Sequence, residues 1–472
     1  MIDTNMLTPL KNLLGPSGYR DDPEELAPWL TDWRGRYTGK AAAMLSPANT
    51  AEVAEIVKFA AAHRIALVPQ GGNSGMVAGA TPDQSGDSLL LSMRRMNKFV
   101  SIDPASGDAV VEAGLILQSF HEAVAPHGFR FPLTLGGKGS ATIGGLISTN
   151  AGGTQVLRHG TMRSLVLGIE AVLPDGSIFD GMAPLKKDNR GYDLKQLLIG
   201  GEGTIGIVTK AVLRTVPALI DRSVVWAGVK SPSDAYALLQ HLQRQAGSAL
   251  EGFEILPQTA LDAVLRHIPG TRAPLSGPHP WHALIELVQD DASQPAPADL
   301  AQRLMAGAME AGLADDATLS ANETQAEAFW KIRDSISEAE RAEGPALQHD
   351  VSVPVADMAR FIETETPDIE ARFPGTRVVA FGHLGDGNIH YHVKAPKGMT
   401  AEQWYSDSSP VSARVYDRVE AYRGSLSAEH GIGMAKLAEF ERLADPARLS
   451  VVRAIKTALD PLNIMNPGKL VP

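Results

Sequence analysis

The chain contains no cysteine, and this absence excludes several kinds of functional site. Disulfide bonds, thiolate-bound zinc, iron–sulfur clusters, cysteine nucleophiles and cofactors attached through sulfur all need that residue. Runs of basic residues are missing as well. The 43 Lys and Arg residues against 54 Asp and Glu residues give a formal net charge of -11. This balance argues against binding to nucleic acid or to an anionic membrane surface.

Long apolar runs are also missing, and none reaches the length of a membrane span. Residues 1–15 lack the charged and apolar regions of a signal peptide, so we expect a cytoplasmic protein. The P-loop, GxSxG and HExxH patterns do not occur. The 472 residues, 44% of them hydrophobic, are enough for at least two globular domains.

Three of the thirteen histidines lie close together in the segment VVAFGHLGDGNIHYHV, residues 378–393. His383, His390 and His392 surround a GDGN turn with β-branched and aromatic residues on both sides, which predicts a β-hairpin. The two-residue period of a strand puts His390 and His392 on one face, and the turn returns His383 to them. Grouped neutral imidazoles suit zinc or a similar divalent ion if a further ligand is supplied from elsewhere.

The candidates for that further ligand are Glu429 and His430, in the glycine-bracketed loop SAEHGIG. The alternative is that the histidines are structural and satisfied by hydrogen bonds. For a lone histidine we would favour this alternative, but three in ten residues with a Glu-His pair downstream indicate a metal site.

Glycine is concentrated in two segments of the first half, PQGGNSGMVAGA (residues 69–80) and TLGGKGSATIGGLISTNAGG (residues 134–153). Glycine clusters let backbone N–H groups approach a phosphate closely and allow positive φ. The interleaved Ser74, Ser140, Thr142 and Asn150 suit a pyrophosphate joined to a large planar ring. Ordinary loop glycines are the alternative for either segment alone.

A third glycine pattern, GEGTIG at residues 201–206, fits GxGxxG letter for letter. That fingerprint requires a strand before it and a helix after it. The residues that follow, IVTKAVLRTV, are rich in β-branched side chains and end at a proline, which predicts a strand instead. We therefore reject a Rossmann site for a nicotinamide cofactor.

Taken together, these motifs resemble flavoproteins of the vanillyl-alcohol oxidase type, which carry a PCMH-type FAD-binding domain. Within that family the chain looks most like the D-2-hydroxyacid dehydrogenases, and most of all those that act on D-2-hydroxyglutarate. The resemblance runs from about Gly39 to the C-terminus. It depends on six motifs in order: VPQGGNSG, GKGSATIGGLISTNAGG, GGEGTIGIVT, GHLGDGNIH, SAEHGIG and NPGK.

The resemblance implies an α+β protein, with an FAD-binding domain of two α+β lobes and a substrate domain built on an antiparallel sheet flanked by helices. We expect a helical arm over residues 1–38, the FAD-binding domain over 39–218 and the substrate and metal domain over 219–472, with the C-terminal tail returning to the flavin. The residue pattern also predicts a strand from Ile65 that stops at Pro69 and a helix over Ala326–Ala342.

By the same resemblance, FAD (bound non-covalently) would contact two glycine-rich segments and three residues elsewhere. The residues implied are Pro69, Gln70, Gly71, Gly72, Asn73, Ser74, Gly75, Met76, Thr134, Leu135, Gly137, Gly139, Ser140, Thr142, Gly145, Thr149, Asn150, Gly152, Glu202, Ile207 and Asn466. The implied metal ligands are His383, His390 and Glu429, with zinc as the expected ion and manganese as the alternative.

The implied general base is His430, which would also contact the substrate, and the implied carboxylate-binding residue is Arg333. Ser337 lies four residues after Arg333, a spacing that puts both on one face of a continuous helix. From the residues alone, Arg333 could equally form a solvated salt bridge. Gln348 and His392, also expected at the substrate, stand where many relatives have lysine and asparagine, which leaves room for D-2-hydroxy acids other than hydroxyglutarate.

The expected function is FAD- and metal-dependent oxidation of a D-2-hydroxy acid, with D-2-hydroxyglutarate as the first choice. D-lactate, glycolate or D-malate dehydrogenation, an oxidase that uses oxygen, and a non-catalytic metal-stabilised nucleotide-binding protein are the alternatives. Without a nicotinamide site, electron-transfer flavoprotein or a quinone is the expected electron acceptor. We expect no nucleic-acid partner and no membrane span, and a homodimer is one open option.

Overall fold

The computed structural model describes residue 2 and residues 4–472, which form two compact units. The first unit comprises the residues up to Gly153, Gly160–Pro217 and Glu429–Pro472, and the second comprises Thr154–His159 and Ala218–Ala428. Residues 429–472, which we expected in the substrate and metal domain, are part of the first unit. No helix in the described part of the chain is both long and apolar enough to cross a membrane.

Some helices begin at a polar residue whose side chain caps the first turn. Asn49 caps the helix Thr50–His63 by accepting a hydrogen bond from the N–H of Glu52, and Arg64 ends that helix in the left-handed conformation. The helices are α1 Thr8–Gly18, α2 Pro23–Leu26, α3 Thr50–His63, α4 Leu117–Val124, α5 Ile143–Thr149, α6 Val156–His159, α7 Met162–Leu165, α8 Lys195–Leu198, α9 Pro232–Ala246, α10 Gln258–His267, α11 Pro297–Glu310, α12 Glu323–Asp334, α13 Ile336–Ala342, α14 Val355–Arg372, α15 Ala401–Asp407, α16 Ser409–Ala421, α17 Leu437–Leu443 and α18 Pro446–Leu459.

The strands are shorter and richer in β-branched residues. They are β1 Tyr19–Arg20, β2 Ala43–Leu45, β3 Ala66–Gln70, β4 Ser88–Ser92, β5 Phe99–Ile102, β6 Asp108–Glu112, β7 Phe129–Arg130, β8 Val166–Val172, β9 Ile178–Gly181, β10 Ile207–Arg214, β11 Val216–Pro217, β12 Asp221–Val229, β13 Leu250–Pro257, β14 Trp281–Gln289, β15 Asp316–Leu319, β16 Ala346–Ser352, β17 Arg377–His383 and β18 Asn388–Lys394.

The first unit contains two principal sheets, each with its own helices and core. The first sheet has the order β1-β2-β4-β3, in which β2, β4 and β3 are parallel, and the second is antiparallel with the order β5-β6-β10-β8-β9. Helices α1 and α3 pack their apolar residues into the core of the first sheet, including Leu10, Leu14 and Val53. The N-terminal segment is therefore part of this lobe, and the two α+β lobes are as expected.

Strand β3 ends later than predicted. The prediction that it stops at Pro69 is wrong, because the strand continues through Pro69 to Gln70. β3 lies at the edge of its sheet, and an edge strand tolerates a proline because the missing N–H group need not face a neighbouring strand.

The second unit is built on a seven-stranded antiparallel sheet with the order β15-β12-β14-β13-β17-β18-β16. Helices α10, α12 and α13 cover one face, where Trp226, Leu284 and Phe381 form part of the apolar core. The opposite face packs against helices that include α14, whose Phe361 contacts Tyr391. The sheet flanked by helices is the architecture expected of the substrate domain.

A buried histidine in this core gives a pH prediction. Trp226 Nε1–H donates to His282 Nδ1 at 3.0 Å, and His282 Nε2 lies 2.8 Å from Gln258 Oε1. Burial, together with the nearby His279, lowers the pKa of His282 to about 4. In the unfolded chain the pKa is about 6.5, so the unfolded state binds the proton more readily. The stabilisation from neutral His282 is therefore present above about pH 6.5 and is lost as the pH falls towards 4.

We expect the thermal midpoint of wild-type protein to fall between pH 7 and pH 5 more steeply than that of His282→Gln. Differential scanning fluorimetry across this range measures how steeply each thermal midpoint changes with pH. A variant that is less stable by the same amount at every pH keeps its slope, so such a loss does not affect the comparison. His127→Gln, at an exposed position, is the control and should keep the wild-type slope. Equal slopes for wild type and His282→Gln would contradict the prediction.

Candidate active site and cofactor cradle

The predicted histidine hairpin is confirmed, with β17 and β18 paired in antiparallel register. His383, His390 and His392 share one face of the sheet: the ring centroids of His383 and His390 are 5.5 Å apart, and those of His390 and His392 are 6.4 Å apart. Gly387 in the turn has φ 84°, and a Cβ there would lie 2.2 Å from the carbonyl oxygen of Val353. Only glycine fits this turn.

Glu254 on β13, the strand next to the hairpin, lies directly opposite His383 and is only 1% exposed. Its Oε2 accepts a hydrogen bond from Arg333 Nε at 2.8 Å, and its Oε1 accepts one from His383 Nδ1. Burial by itself would raise the pKa of Glu254, but the charges and hydrogen bonds of Arg333 and His383 lower it to about 2. The carboxylate is therefore ionised across the physiological range.

Glu254 also determines which nitrogen of His383 carries the lone pair. Because His383 Nδ1 donates to the carboxylate, the neutral ring has its lone pair on Nε2, which lies 3.3 Å from Arg333 Nη2. At metal-binding histidines, the ring nitrogen that does not bind the metal commonly donates to a carboxylate, as Nδ1 of His383 does here. Burial, reinforced by the charge of Arg333, lowers the pKa of His390 well below 6.5, so His390 is neutral. Both imidazoles suit a divalent ion.

His392 is held by a second buried carboxylate. Its Nδ1 is hydrogen-bonded to Glu340 Oε2 on α13, and Glu340 is 2% exposed. Lys394 Nζ donates to the carbonyl oxygen of Glu340 at 2.5 Å, which fixes this part of α13 against β18. Across the β16–β18 pairing, Gln348 lies directly opposite His392. The two predicted substrate residues Gln348 and His392 are therefore neighbours.

Arg333 and Ser337 do not share one continuous helix. The predicted helix over Ala326–Ala342 is interrupted, because α12 ends at Asp334 and α13 begins at Ile336. The helical spacing therefore does not establish a common face for the two residues. The alternative of a solvated salt bridge is also wrong: the Arg333 and Glu254 side chains are 12% and 1% exposed. Arg333 forms a buried ion pair.

In the first unit, the two glycine segments meet, and we call them together the glycine cradle. A Cβ on Gly71 would lie 2.1 Å from Thr142 Oγ1, and one on Gly72 would lie 1.7 Å from the carbonyl oxygen of Ser140. These approaches require glycine and hold the two segments together. The sequence predicted that both segments serve one ligand, and the structure brings them into direct contact.

Several buried polar atoms in or near the glycine cradle have no hydrogen-bond partner in the described part of the chain. Thr142 Oγ1, Gln70 Oε1 and Asn466 Oδ1 are buried and have no hydrogen-bond partner among the described residues. A Cβ on Gly75 or Gly139 would meet no atom within 4 Å, so the backbone there is approachable. Unpartnered buried polar atoms and approachable glycines in the same unit fit a large polar cofactor such as FAD.

Several other residues predicted to bind FAD have side chains bonded within the unit. Asn73 Nδ2 donates to the carbonyl oxygen of Thr31, Asn150 Oδ1 accepts from Thr161 Oγ1 and Arg163 N, and Thr149 Oγ1 donates to the carbonyl oxygen of Gly145. These side chains shape the cradle. The remaining predicted residues lie on the same segments or at the start of β10: Pro69, Ser74, Met76, Thr134, Leu135, Gly137, Gly152 and Ile207.

Glu202, predicted to contact FAD, directs its carboxylate to the end of the SAEHGIG loop, which lies in the same unit. Its two oxygens accept hydrogen bonds from the N–H groups of Ile432 and Gly433, both at 2.7 Å. Asn466 Nδ2 donates to the carbonyl oxygen of Glu202 at 2.8 Å. Glu429 and His430, the predicted third ligand and base, are half-buried at the start of this loop. The strand β10 begins directly after GEGTIG, which confirms that the context is not that of a Rossmann fingerprint.

Sequence reasoning missed Glu254 and Glu340. The signal for Glu254 was its place in the strand LEGFEILP, where it is flanked by the apolar residues Phe253, Ile255 and Leu256. A charge in an apolar strand needs a partner. No local pattern marked Glu340, which lies on a helix rich in charged residues.

Comparison with protein families gives two matches that together span most of the chain. Residues 41–181 match the family described as FAD binding domain, and residues 220–470 match FAD linked oxidases, C-terminal domain. The second match alone covers more than half of the chain.

Individual proteins agree with these families. The chain is 36% identical to D-2-hydroxyglutarate dehydrogenase, mitochondrial, of Arabidopsis thaliana, over 100% of this chain and 82% of that protein. It is 33% identical to a putative mitochondrial D-lactate dehydrogenase of Schizosaccharomyces pombe, over 95% of this chain and 85% of that protein. Its fold resembles p-cresol methylhydroxylase with substrate bound, with a TM-score of 0.74, 15% identity and coverage of 99% and 96%. The chain belongs to the FAD-linked oxidase family, in the PCMH-type fold, and is similar along its whole length to proteins named D-2-hydroxyglutarate dehydrogenase.

Proposed function

We propose that the chain oxidises a D-2-hydroxy acid to the corresponding 2-oxo acid, with D-2-hydroxyglutarate as the preferred substrate. The observation that carries this proposal is the arrangement of Arg333, Glu254 and His383, which holds a guanidinium 3.3 Å from Nε2 of an imidazole. A guanidinium suits a carboxylate substrate. The name of the Arabidopsis relative, which is 36% identical, supports the same chemistry.

FAD would bind in the glycine cradle, and when bound it supplies the oxidant that accepts hydride from C2 of the hydroxy acid. The chain's part is binding and orientation. Backbone N–H groups around Gly75 and Gly139 would face the pyrophosphate. The unpartnered oxygens of Thr142, Gln70 and Asn466 would accept hydrogen bonds from N–H or hydroxyl groups of the cofactor.

His383 and His390 would hold a divalent ion, zinc first and manganese second, with Glu429 as the third ligand that the resemblance implies. When bound, such an ion supplies Lewis-acid polarisation of the substrate hydroxyl. Glu254 would keep His383 in the tautomer that offers Nε2. Binding at Nε2 requires Arg333 Nη2 to turn away from it, because one lone pair serves one partner.

The remaining predicted residues would handle the proton and the carboxylates. His430 would remove the hydroxyl proton as general base. Arg333 would keep its Nε bond to Glu254 and direct its other N–H groups to a substrate carboxylate. Gln348 and His392 would contact the far end of the substrate, with Ser337 as a further polar contact.

A second candidate activity is the oxidation of D-lactate, with glycolate and D-malate as related substrates. The pair formed by Gln348 and His392 offers an amide and a histidine bonded to Glu340. This pair has no permanent cation for a second substrate carboxylate, a group that D-lactate and glycolate lack and D-malate carries. The Schizosaccharomyces pombe relative carries a D-lactate dehydrogenase name.

Electron-transfer flavoprotein or a quinone is our proposed electron acceptor, because the GxGxxG context excludes the Rossmann fingerprint. Use of oxygen by an oxidase, and a non-catalytic nucleotide-binding role, are the competing functions. A cytoplasmic location and a homodimer stay predictions.

The function is tested by an anaerobic panel in which protein holding FAD is mixed with D-2-hydroxyglutarate, D-lactate, D-malate or glycolate. We expect D-2-hydroxyglutarate to bleach the flavin spectrum fastest and its L-enantiomer to leave it unchanged. His430→Gln should keep the spectrum but reduce the bleaching rate by about 10²–10⁴-fold, the usual contribution of a general base. Stopped-flow absorbance measures both.

Bleaching by none of these acids would contradict the proposed function and leave the binding role. A near-normal rate in His430→Gln would remove that residue as the base. Peroxide formation under air would favour the oxidase.

The location of FAD is tested by Gly139→Ala. A Cβ at this position meets no protein atom within 4 Å, so the apoprotein should keep its thermal midpoint. FAD affinity should fall by about tenfold or more, or about 1.4 kcal/mol, because the methyl group blocks the approach of the pyrophosphate. Gly277→Ala, equally unobstructed but in the second unit, is the matched control. Fluorescence titration with FAD should separate the two variants, and equal affinities would contradict this location.

Metal binding is tested by Glu254→Gln. Loss of the charge behind His383 should weaken zinc binding by about 10–100-fold, the usual effect of removing such a partner. The matched control is Glu286→Gln, a carboxylate that is 6% exposed and pairs with Arg222 on the same sheet. Zinc affinity is measured by competition with a chelating dye. Unchanged affinity in Glu254→Gln would return the histidines to a structural role.

A further inference from the structure

Glu202 occupies a turn whose main chain is fixed at several points. Its φ is 49°, in the left-handed region that is uncommon for residues with a side chain. Its N–H donates to the carbonyl oxygen of Ser148 and its own carbonyl accepts from Asn466 Nδ2, both at 2.8 Å. The position of the Glu202 side chain is therefore set by its own unit.

The Glu202 carboxylate uses both oxygens on the main chain of one loop. Oε1 accepts from Ile432 N–H and Oε2 from Gly433 N–H, each at 2.7 Å, and Glu202 is 7% exposed. Burial raises the pKa of Glu202 to about 7, against the opposing effect of these two N–H groups and of Lys436 and Lys469. A buried carboxylate is an energetically costly way to satisfy two N–H groups.

The loop itself is fitted to this carboxylate. Gly431 has φ 83°, and a Cβ there would lie 2.8 Å from Glu202 Oε1. A Cβ on Gly433 would lie 2.2 Å from the carbonyl oxygen of Val77, which also accepts from the N–H of Met434 at 3.0 Å. The two glycines of the sequence HGIG are thus required by close contacts, one of them with Glu202.

We infer that Glu202 is a positioning residue, whose carboxylate fixes the segment Glu429–Gly433 so that His430 is held ready to accept a proton. The inference rests on the proposed function for the role of His430. The N–H that Glu202 Oε1 accepts belongs to Ile432, two residues after His430. Only Gly431 stands between these two residues, so removing this anchor loosens the main chain next to the base.

The first test is Glu202→Gln, measured with enzyme that holds FAD. Glutamine has the same shape, but its amide NH₂ would face one of the two backbone N–H groups, so one hydrogen bond is lost. Hydrogen–deuterium exchange of the peptide over residues 427–436 should become faster. The maximal rate of flavin reduction should fall by about 10–100-fold, whereas the substrate concentration for half-maximal rate should stay near the wild-type value.

Glu112→Gln is the matched control, because Glu112 is 5% exposed in the same unit and its Oε2 also accepts a backbone N–H, from Lys98 at 3.0 Å. It should change neither the exchange of residues 427–436 nor the rate of flavin reduction. An effect as large in Glu112→Gln as in Glu202→Gln would overturn the inference, since it would show general loosening of the unit.

A second pair of variants tests the contact between Glu202 and the loop by a substitution in the loop. Gly431→Ala adds strain at positive φ and a methyl group against Glu202 Oε1, whereas Gly128→Ala adds comparable strain at φ 81° with no atom within 4 Å of its Cβ. We expect Gly431→Ala to reproduce the faster exchange and slower reduction of Glu202→Gln. Gly128→Ala should not change either.

The two readouts separate this inference from the proposed function. Wild-type exchange of residues 427–436 in Glu202→Gln and Gly431→Ala would overturn the anchor, whatever the substrate. Faster exchange with an unchanged rate of flavin reduction would overturn the positioning role. If no D-2-hydroxy acid reduces the wild-type flavin, the proposed function and the positioning role fail together, while the exchange data still decide the anchor.

Discussion

Glu254 has only 1% of its surface exposed, and a charge so deeply buried must be compensated by partners at fixed positions. Arg333 and His383 provide that compensation, and the pKa of about 2 shows how strongly they favour the ionised form. Because the carboxylate takes Nδ1 of His383, Nε2 is the nitrogen that remains for chemistry. The positions of Arg333 and His383 on this face of the sheet therefore follow from the need to compensate the buried charge of Glu254.

The first unit also contains a buried carboxylate, but its partners compensate the cost of burial less completely. Glu202 is also buried, but its partners are two backbone N–H groups, and its nearby lysines do not offset the cost of burial. Its pKa is therefore raised to about 7, whereas that of Glu254 is lowered. A buried carboxylate paired with a guanidinium orients a side chain, and one bonded to backbone N–H groups orients a loop.

The parts that the sequence predicted well are local. The hairpin follows from β-branched residues around a glycine turn, and the shared face of His390 and His392 follows from the two-residue period of a strand. The rejection of the GxGxxG pattern was also local, since it depended on the residues just after it. The continuous helix over Ala326–Ala342 failed because helical pattern alone does not locate a break such as that at Ser335.

By itself, the sequence determined the chemistry that the chain has at its disposal: no thiols, two glycine segments and three clustered histidines. Only the tertiary structure decided which distant residues serve that chemistry. Glu254 and His383 are 129 residues apart, and Glu202 and Ile432 are 230 apart, so no local spacing relates them. The physical reason is that a buried charge is stabilised only by groups close to it in space, and the tertiary fold determines which groups those are.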